Sequence, residues 1–149
     1  MKSSPSDHVD AVRALARVTR LLERASGDLN LAHYRVLVAI ASGEERASRV
    51  AARLALGKPA ISASVESLAQ RGLISRSNVA GDQRAAALSV TSAGLAMLAE
   101  AERSMVSALD EVCARVDDPD HVVRSLVALG DGVERLHIER VGGEGVSPR

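Results

Sequence analysis

The residues with chemical capacity are concentrated in the middle third of the chain. Between positions 46 and 90 stand Arg46, Arg49, Arg53, Lys58, Arg71, Arg76 and Arg84, against Glu66 and Asp82 alone, a net charge of +5. Residues 1 to 45 balance at six cations and six anions, and residues 91 to 149 carry six arginines against eleven carboxylates, so a formal net charge of zero conceals a cationic module followed by an acidic one. A polyanion responds to such a patch, not to the total, and the chemistry to expect is contact with nucleic acid. Guanidinium groups pair with phosphates or with guanine, hydroxyls bond base edges or phosphates, and small apolar groups meet thymine methyls. Lys58, Pro59, Ala60, Ser62, Ala63 and Ser64 are the kind of residues that a helix entering a major groove about 12 Å wide presents outward, free of bulky apolar groups. Arg84 follows a glycine turn, where an arginine can enter a narrow minor groove, with Asp82 placed to hold its guanidinium. Arg71 and Arg76 are expected on phosphates.

Other chemistries lack their residues. There is no Ser-His-Asp arrangement, no glycine-rich phosphate loop and no pair of carboxylates in a cleft context, so an enzyme is not expected. His8, His33, His121 and His137 show no His-x-x-x-His spacing, and neither a metal nor a cofactor is expected. Cys113 is the single cysteine and has no disulfide partner. It reads as a small apolar filler on a helix, with a redox switch assisted by Arg115 as the alternative. No run approaches the roughly 18 apolar residues of a membrane span, and the polar N-terminus is unlike a signal segment, so a cytoplasmic protein is expected.

The elements that must position these groups follow from periodicity. With one aromatic residue, Tyr34, and no Phe or Trp, the core must be Leu, Val and Ala, which favours helices. Val9, Val12, Leu15, Val18 and Leu22 mark an amphipathic helix from Asp7 to Ala25. Asn30 caps a second helix to about Ala41, with Leu29 and Tyr34 spaced as a hydrophobic staple. Ser48 to Leu56 forms a short helix, and after Gly57 another begins at Pro59, burying Ile61, Val65 and Leu68 and ending at Arg71-Gly72. Leu73 to Arg76 and Ala86 to Val90 are strands flanking a turn at Ala80-Gly81-Asp82-Gln83. Thr91 caps a long helix whose stripe, Leu95, Leu98, Met105, Leu109, Val112 and Val116, is broken only by Glu102. Asp118-Pro119 opens a last helix carrying Val122, Leu126, Leu129, Val133 and Leu136. The tail from Gly142 to Arg149 is expected to be disordered.

The order is four helices, a hairpin and two helices. In Leu29 to Leu95 the chain resembles the winged helix-turn-helix of the MarR family of bacterial transcription regulators. The resemblance rests on Leu31 to Ile40, on Arg49-Val50-Ala51-Ala52-Arg53-Leu54, on the run from Ser62 through Leu68-Ala69-Gln70-Arg71-Gly72-Leu73-Ile74, and on Gly81-Asp82-Gln83-Arg84 followed by Leu88-Ser89-Val90-Thr91-Ser92-Ala93-Gly94. It implies a mainly α fold with six helices, a β-hairpin wing and a helical dimerisation region. Residues 1–28 would supply a dimerisation helix, 29–91 the DNA-binding lobe and 92–141 further dimerisation helices. Ala55, Gly57 and Ala63 depart from the family pattern of a glycine, a Ser or Thr cap and a longer polar side chain, which bears on the operator sequence more than on the fold.

The flanking helices carry more apolar surface than one small lobe can cover, so a homodimer is expected. A two-fold dimer implies an operator that is an imperfect inverted repeat in double-stranded DNA. The resemblance also places an effector crevice, for a small aromatic or phenolic compound, between the dimer helices and the lobe, with Arg17, His33 and Tyr34 as its candidates. A repressor released by such a ligand is the implied function. A winged-helix module that binds a protein partner and no operator is the competing reading.

Overall fold

The computed structural model describes the backbone of residues 4–43, 46–79 and 82–143, and side chains over the same residues except 78–85 and 140–143. The elements run α1 (Pro5–Ala25), α2 (Leu31–Ala41), α3 (Ala47–Leu54), α4 (Lys58–Gln70), β1 (Ile74–Val79), β2 (Asp82–Val90), α5 (Ser92–Cys113) and α6 (Pro119–Gly143). The fold is mainly helical, with six helices and one antiparallel hairpin among the described residues, as the sequence implies.

Local chemistry sets most boundaries. The Ser4 hydroxyl accepts from the Asp7 amide while the Asp7 carboxylate accepts from the Ser4 amide, a capping box that starts α1 at Pro5, two residues before the expected Asp7. Asn30 caps α2 through the His33 amide at 2.8 Å, and Leu29 below it is fully buried. Asp118 caps α6 through the His121 amide at 2.9 Å. That last helix continues to Gly143, past the expected boundary at residue 142, and residues 144–149 lie outside the described residues. The hairpin is longer than expected. Its register runs Ile74↔Val90, Arg76↔Leu88 and Asn78↔Ala86, with an irregularity at Val79↔Asp82, so Asp82 and Gln83 belong to β2 and not to the turn. The alanines of β2 pair despite weak strand propensity because register and the burial of Leu88 hold the arm in place.

The core gathers Val36, Leu37 and Ile40 of α2, Val50 of α3, Ile61, Val65 and Leu68 of α4, Leu73, Ile74 and Leu88 of the hairpin, and Leu98, Ala101 and Met105 of α5. The lobe and the first half of α5 are therefore one packed body. By contrast α6 packs closely against no other element of its own chain among the described residues. Cys113 is 5% exposed at the end of α5.

Two helix ends decide how the lobe is built. At the end of α4, Gly72 has a φ of +70°, and its amide bonds Ala69 O while the Leu73 amide bonds Leu68 O, each at 2.9 Å, a Schellman closure. Thr91 then donates its amide to Leu73 O at 3.0 Å and its hydroxyl to Gly72 O at 2.6 Å, and the same hydroxyl accepts from the Gly94 amide at 3.1 Å. This seats the first turn of α5 directly on the end of α4. A Cβ at Gly94 would overlap the Leu73 carbonyl and stand 2.7 Å from Val90 Cγ1. The end of α3 repeats the α4 geometry, with Leu56 N on Ala51 O at 3.1 Å, but the left-handed position is Ala55, at φ 51°. An L-residue there is strained by roughly 1–2 kcal/mol.

Two outcomes follow for urea denaturation. Gly94→Ala is expected to lose more than about 2 kcal/mol, because the clash is with backbone and cannot be relieved by a rotamer change. Ala55→Gly is expected to gain about 0.5–1 kcal/mol, the relief of left-handed strain less the added freedom of the unfolded glycine.

Candidate nucleic-acid interface

The helix-turn-helix is α3, the Ala55-Leu56-Gly57 turn and α4. Gly57 is the N-cap of α4, with extended backbone and no capping side chain, and its carbonyl accepts from the Ala60 and Ile61 amides at 3.1 and 3.2 Å. Because Ile61, Val65 and Leu68 face the core, helical periodicity turns Ser62 and Ala63 to solvent. Lys58, Pro59 and Ala60 are exposed at the N-terminal end, where the helix dipole favours phosphate. Ser64 is half buried, so of the six small or polar residues expected on the outer face it is the least available.

The arginines divide. Arg71 is the exposed C-cap of α4. Arg76 on β1 donates to Glu66 Oε2 at 2.9 Å, while Gln70 donates to the other oxygen of the same carboxylate at 3.1 Å. Arg46, Ser48, Ser62, Glu66 and Arg76 line a cleft of about 500 Å³ between the start of α3, α4 and the hairpin. Arg53 is turned away from that face and pairs with Glu134 of α6 at 3.5 Å. Asp82 and Arg84 lie on β2, but their side chains are outside those described, as is the turn at Ala80 and Gly81.

The three residues expected to line an effector crevice are not joined by any hydrogen bond among the described residues. Tyr34 reaches across to α5, its hydroxyl donating to Glu102 Oε1 at 3.4 Å. Burial raises its pKa, and the Glu102 carboxylate adds to that by disfavouring a second negative charge. His33 stays beside its capping Asn30, and its pKa is lowered from 6.5 by burial first and by the Arg71 guanidinium second. Arg17 is exposed on α1. The structure thus brings His33 to Arg71, a residue expected on DNA, and ties Tyr34 to the one polar residue that interrupts the α5 stripe. Sequence reasoning missed the roles of Glu66 and Glu134. The spacing of Glu66 and Gln70 as i, i+4 neighbours was visible, but the partners across the fold were not.

Residues 27–85 match the family model described as the MarR family. That segment, which runs from just past the end of α1 into β2, is similar to the MarR family. No curated protein matches the sequence. Among solved structures, the chain is similar to a MarR-family transcriptional regulator from Rhodococcus sp. RHA1, with 23% identity over 89% of this chain and 96% of that one and a TM-score of 0.72. It is also similar to the transcriptional repressor CouR bound to a 23-mer DNA duplex, at 21% identity, 88% and 98% coverage and a TM-score of 0.72. A third similarity is to CouR from Rhodococcus jostii RHA1 bound to p-coumaroyl-CoA, at 24% identity, 89% and 96% coverage and a TM-score of 0.68. At these identities the likeness carries the winged-helix fold, and it extends beyond the lobe to the flanking helices.

The depressed His33 pKa makes stability depend on pH. Below pH 6.5 the unfolded chain binds a proton at this position that the folded chain refuses, so stability falls as pH drops from 6.5 toward the lower folded pKa. Well above 6.5, by about one pH unit, the group is neutral in both states and contributes no slope. His33→Asn is expected to flatten the stability curve around and below pH 6.5, measured by thermal melts on both sides of that value.

Proposed function

We propose that this chain is a transcription regulator of the MarR family that binds duplex DNA as a homodimer, acting as a repressor that a small aromatic or phenolic effector releases. The observation that carries the reading is the exposed, small-residue face of α4, presented by a helix-turn-helix inside a segment of charge +5. A face without bulky side chains fits a major groove, and the surrounding arginines supply the sequence-independent phosphate attraction. The similarity to CouR bound to a DNA duplex supports the same reading.

Dimerisation is supported by the flanking helices. Val12 is 66% exposed on α1, and on α6 Val127, Val133 and Ile138 are 61%, 62% and 63% exposed. One protomer leaves these side chains in water, whereas a second copy related by a two-fold axis covers them and places two α4 helices on successive major-groove faces. On this reading residues 1–28 and 92–141 form the dimer and residues 29–91 read DNA. In the lobe, Lys58, Pro59, Ala60, Ser62 and Ala63 face base edges, Arg71 and Arg76 face the backbone, and Arg84 with Asp82 serves the wing. The chain's similarity to CouR bound to p-coumaroyl-CoA supports an effector, and His33, Tyr34 and Arg17 remain its candidates. Burial of the Cys113 thiol favours this over oxidation as the signal.

Selection of bound fragments from genomic DNA, followed by footprinting, tests the reading. Enriched duplexes are expected to carry an imperfect inverted repeat with half-site centres about 10 bp apart. Arg84→Ala is expected to retain the fold while weakening binding to the selected duplex by more than about 1 kcal/mol. Failure to enrich any sequence, with salt-insensitive binding to mixed DNA, would instead point to a module that docks on a protein partner.

A further inference from the structure

Glu66 is the one carboxylate on α4, placed in the middle of the most cationic segment of the chain. Its two oxygens have different partners: Gln70 on its own helix at 3.1 Å and Arg76 on the first wing strand at 2.9 Å. Arg76 pairs with Leu88 in the hairpin register, and Leu88 is buried, so the stem of Arg76 leaves the hairpin on its inward face. The guanidinium then meets Glu66 at the joint between α4 and the wing, over the cleft that also holds Arg46, Ser48 and Ser62. Glu66 and Arg76 are half exposed, with side-chain exposures of 54% and 43%. In water such a pair contributes little to stability. Stability alone therefore gives a weak reason for a carboxylate at this position, where it lowers the attraction of the lobe for any polyanion.

We infer that Glu66 is a positioning residue that sets the specificity of DNA reading by holding the Arg76 guanidinium at the joint between the recognition helix and the wing. The inference rests on the proposed DNA-binding reading. If α4 occupies a major groove and the wing reaches the adjacent minor groove, the sugar-phosphate strand between those grooves passes over that joint. A tethered Arg76 uses one amino group on Glu66 and offers its remaining N–H groups in one direction, so it reaches a phosphate only when the backbone is in register. A free Arg76 follows any phosphate. The carboxylate meanwhile repels backbone that approaches without that contact. Both effects penalise non-operator DNA more than operator DNA, because phosphate contacts fix register while base contacts read sequence.

The test compares Glu66→Gln, Arg76→Gln and the double variant with the full-length wild type. The probes are one duplex recovered by genomic selection and a scrambled duplex of the same composition, titrated across a salt series. The Glu66→Gln substitution keeps the side-chain shape and an acceptor oxygen for Gln70, and circular dichroism melts verify that each variant folds. Glu66→Gln is expected to tighten binding to the scrambled duplex by about fivefold, the scale of a released exposed ion pair, with less gain on the selected duplex. The salt slope on the scrambled duplex is expected to steepen by about 0.9, one additional phosphate neutralised. In the Arg76→Gln background the same substitution is expected to leave the ratio of the two affinities unchanged. A purely structural Glu66 would move the melting temperature and neither the ratio nor the slope. Equal gains on both duplexes, or a change of ratio that persists without Arg76, would overturn the inference while leaving DNA binding intact. A wild type that does not distinguish the two duplexes would sink the DNA-binding reading and this inference with it.

Discussion

The contact on which the architecture depends is the seat of α5 on the end of α4. Gly72 turns the chain out of α4, Leu73 drops into the core, and Thr91 binds the carbonyls of both while capping α5. Gly94 is a glycine because the Leu73 carbonyl occupies the space a side chain would need. The wing is thus a loop thrown out between two points already clamped together, and its direction is set at its base. The same clamp makes the long α5 an extension of the lobe, so the lobe turns only as α5 turns. The end of α4 and the start of α5, which follows the hairpin, are joined at the clamp itself.

Charge is partitioned on the same plan. The lobe is cationic and the segment after it anionic, so on the proposed reading a polyanion is drawn to one end of the protomer. Within the lobe the arginines are not equivalent. Arg76 is tied to Glu66, Arg53 to Glu134 of α6, and Arg35 to the Leu54 carbonyl at 3.3 Å. Burial lowers the His33 pKa, and the positive charge of Arg71 adds to that. Cationic side chains that a composition count treats alike are divided by the fold between outward-facing and tethered groups, and on the proposed reading only the former would add to the salt dependence of DNA binding.

The elements legible in the sequence are those fixed by local physics. Asn30, Thr91 and Asp118 announce helix starts because a short polar side chain bonds an amide three residues on, and Ile61, Val65 and Leu68 announce the inner face of α4 because helical periodicity leaves no other arrangement. The Ser4 to Asp7 capping box is equally local, but it escapes a reading by periodicity because the apolar stripe of α1 begins only at Val9. The strands exceed their expected length because alanine carries little strand signal, and their length comes from register with a partner that propensity does not see. For the site, the small-residue face of α4 is readable, but the half-burial of Ser64 and the pairing of Arg76 with Glu66 are tertiary facts. The expected crevice residues fare least well. Arg17, His33 and Tyr34 are grouped only by resemblance, and each has its own surroundings in the protomer.

That last result follows from where α6 stands. The helix is 25 residues long, carries a row of exposed valines and leucines, and meets its own chain through the Arg53–Glu134 pair and a small cleft of about 180 Å³ beside His137. An amphipathic helix of that length does not hold its apolar face in water for lack of alternatives. On the dimer reading, the surfaces of α1, α5 and α6 become interior only when a second copy arrives, and whatever lies between the lobe and the dimer helices takes its final shape then. A protomer by itself therefore contains a finished winged-helix lobe, whose core closes within residues 29–105, and, on the dimer reading, an unfinished base. The helix-turn-helix is legible from one chain because its contacts are local to one chain. The crevice is not, because on this reading its walls belong to two.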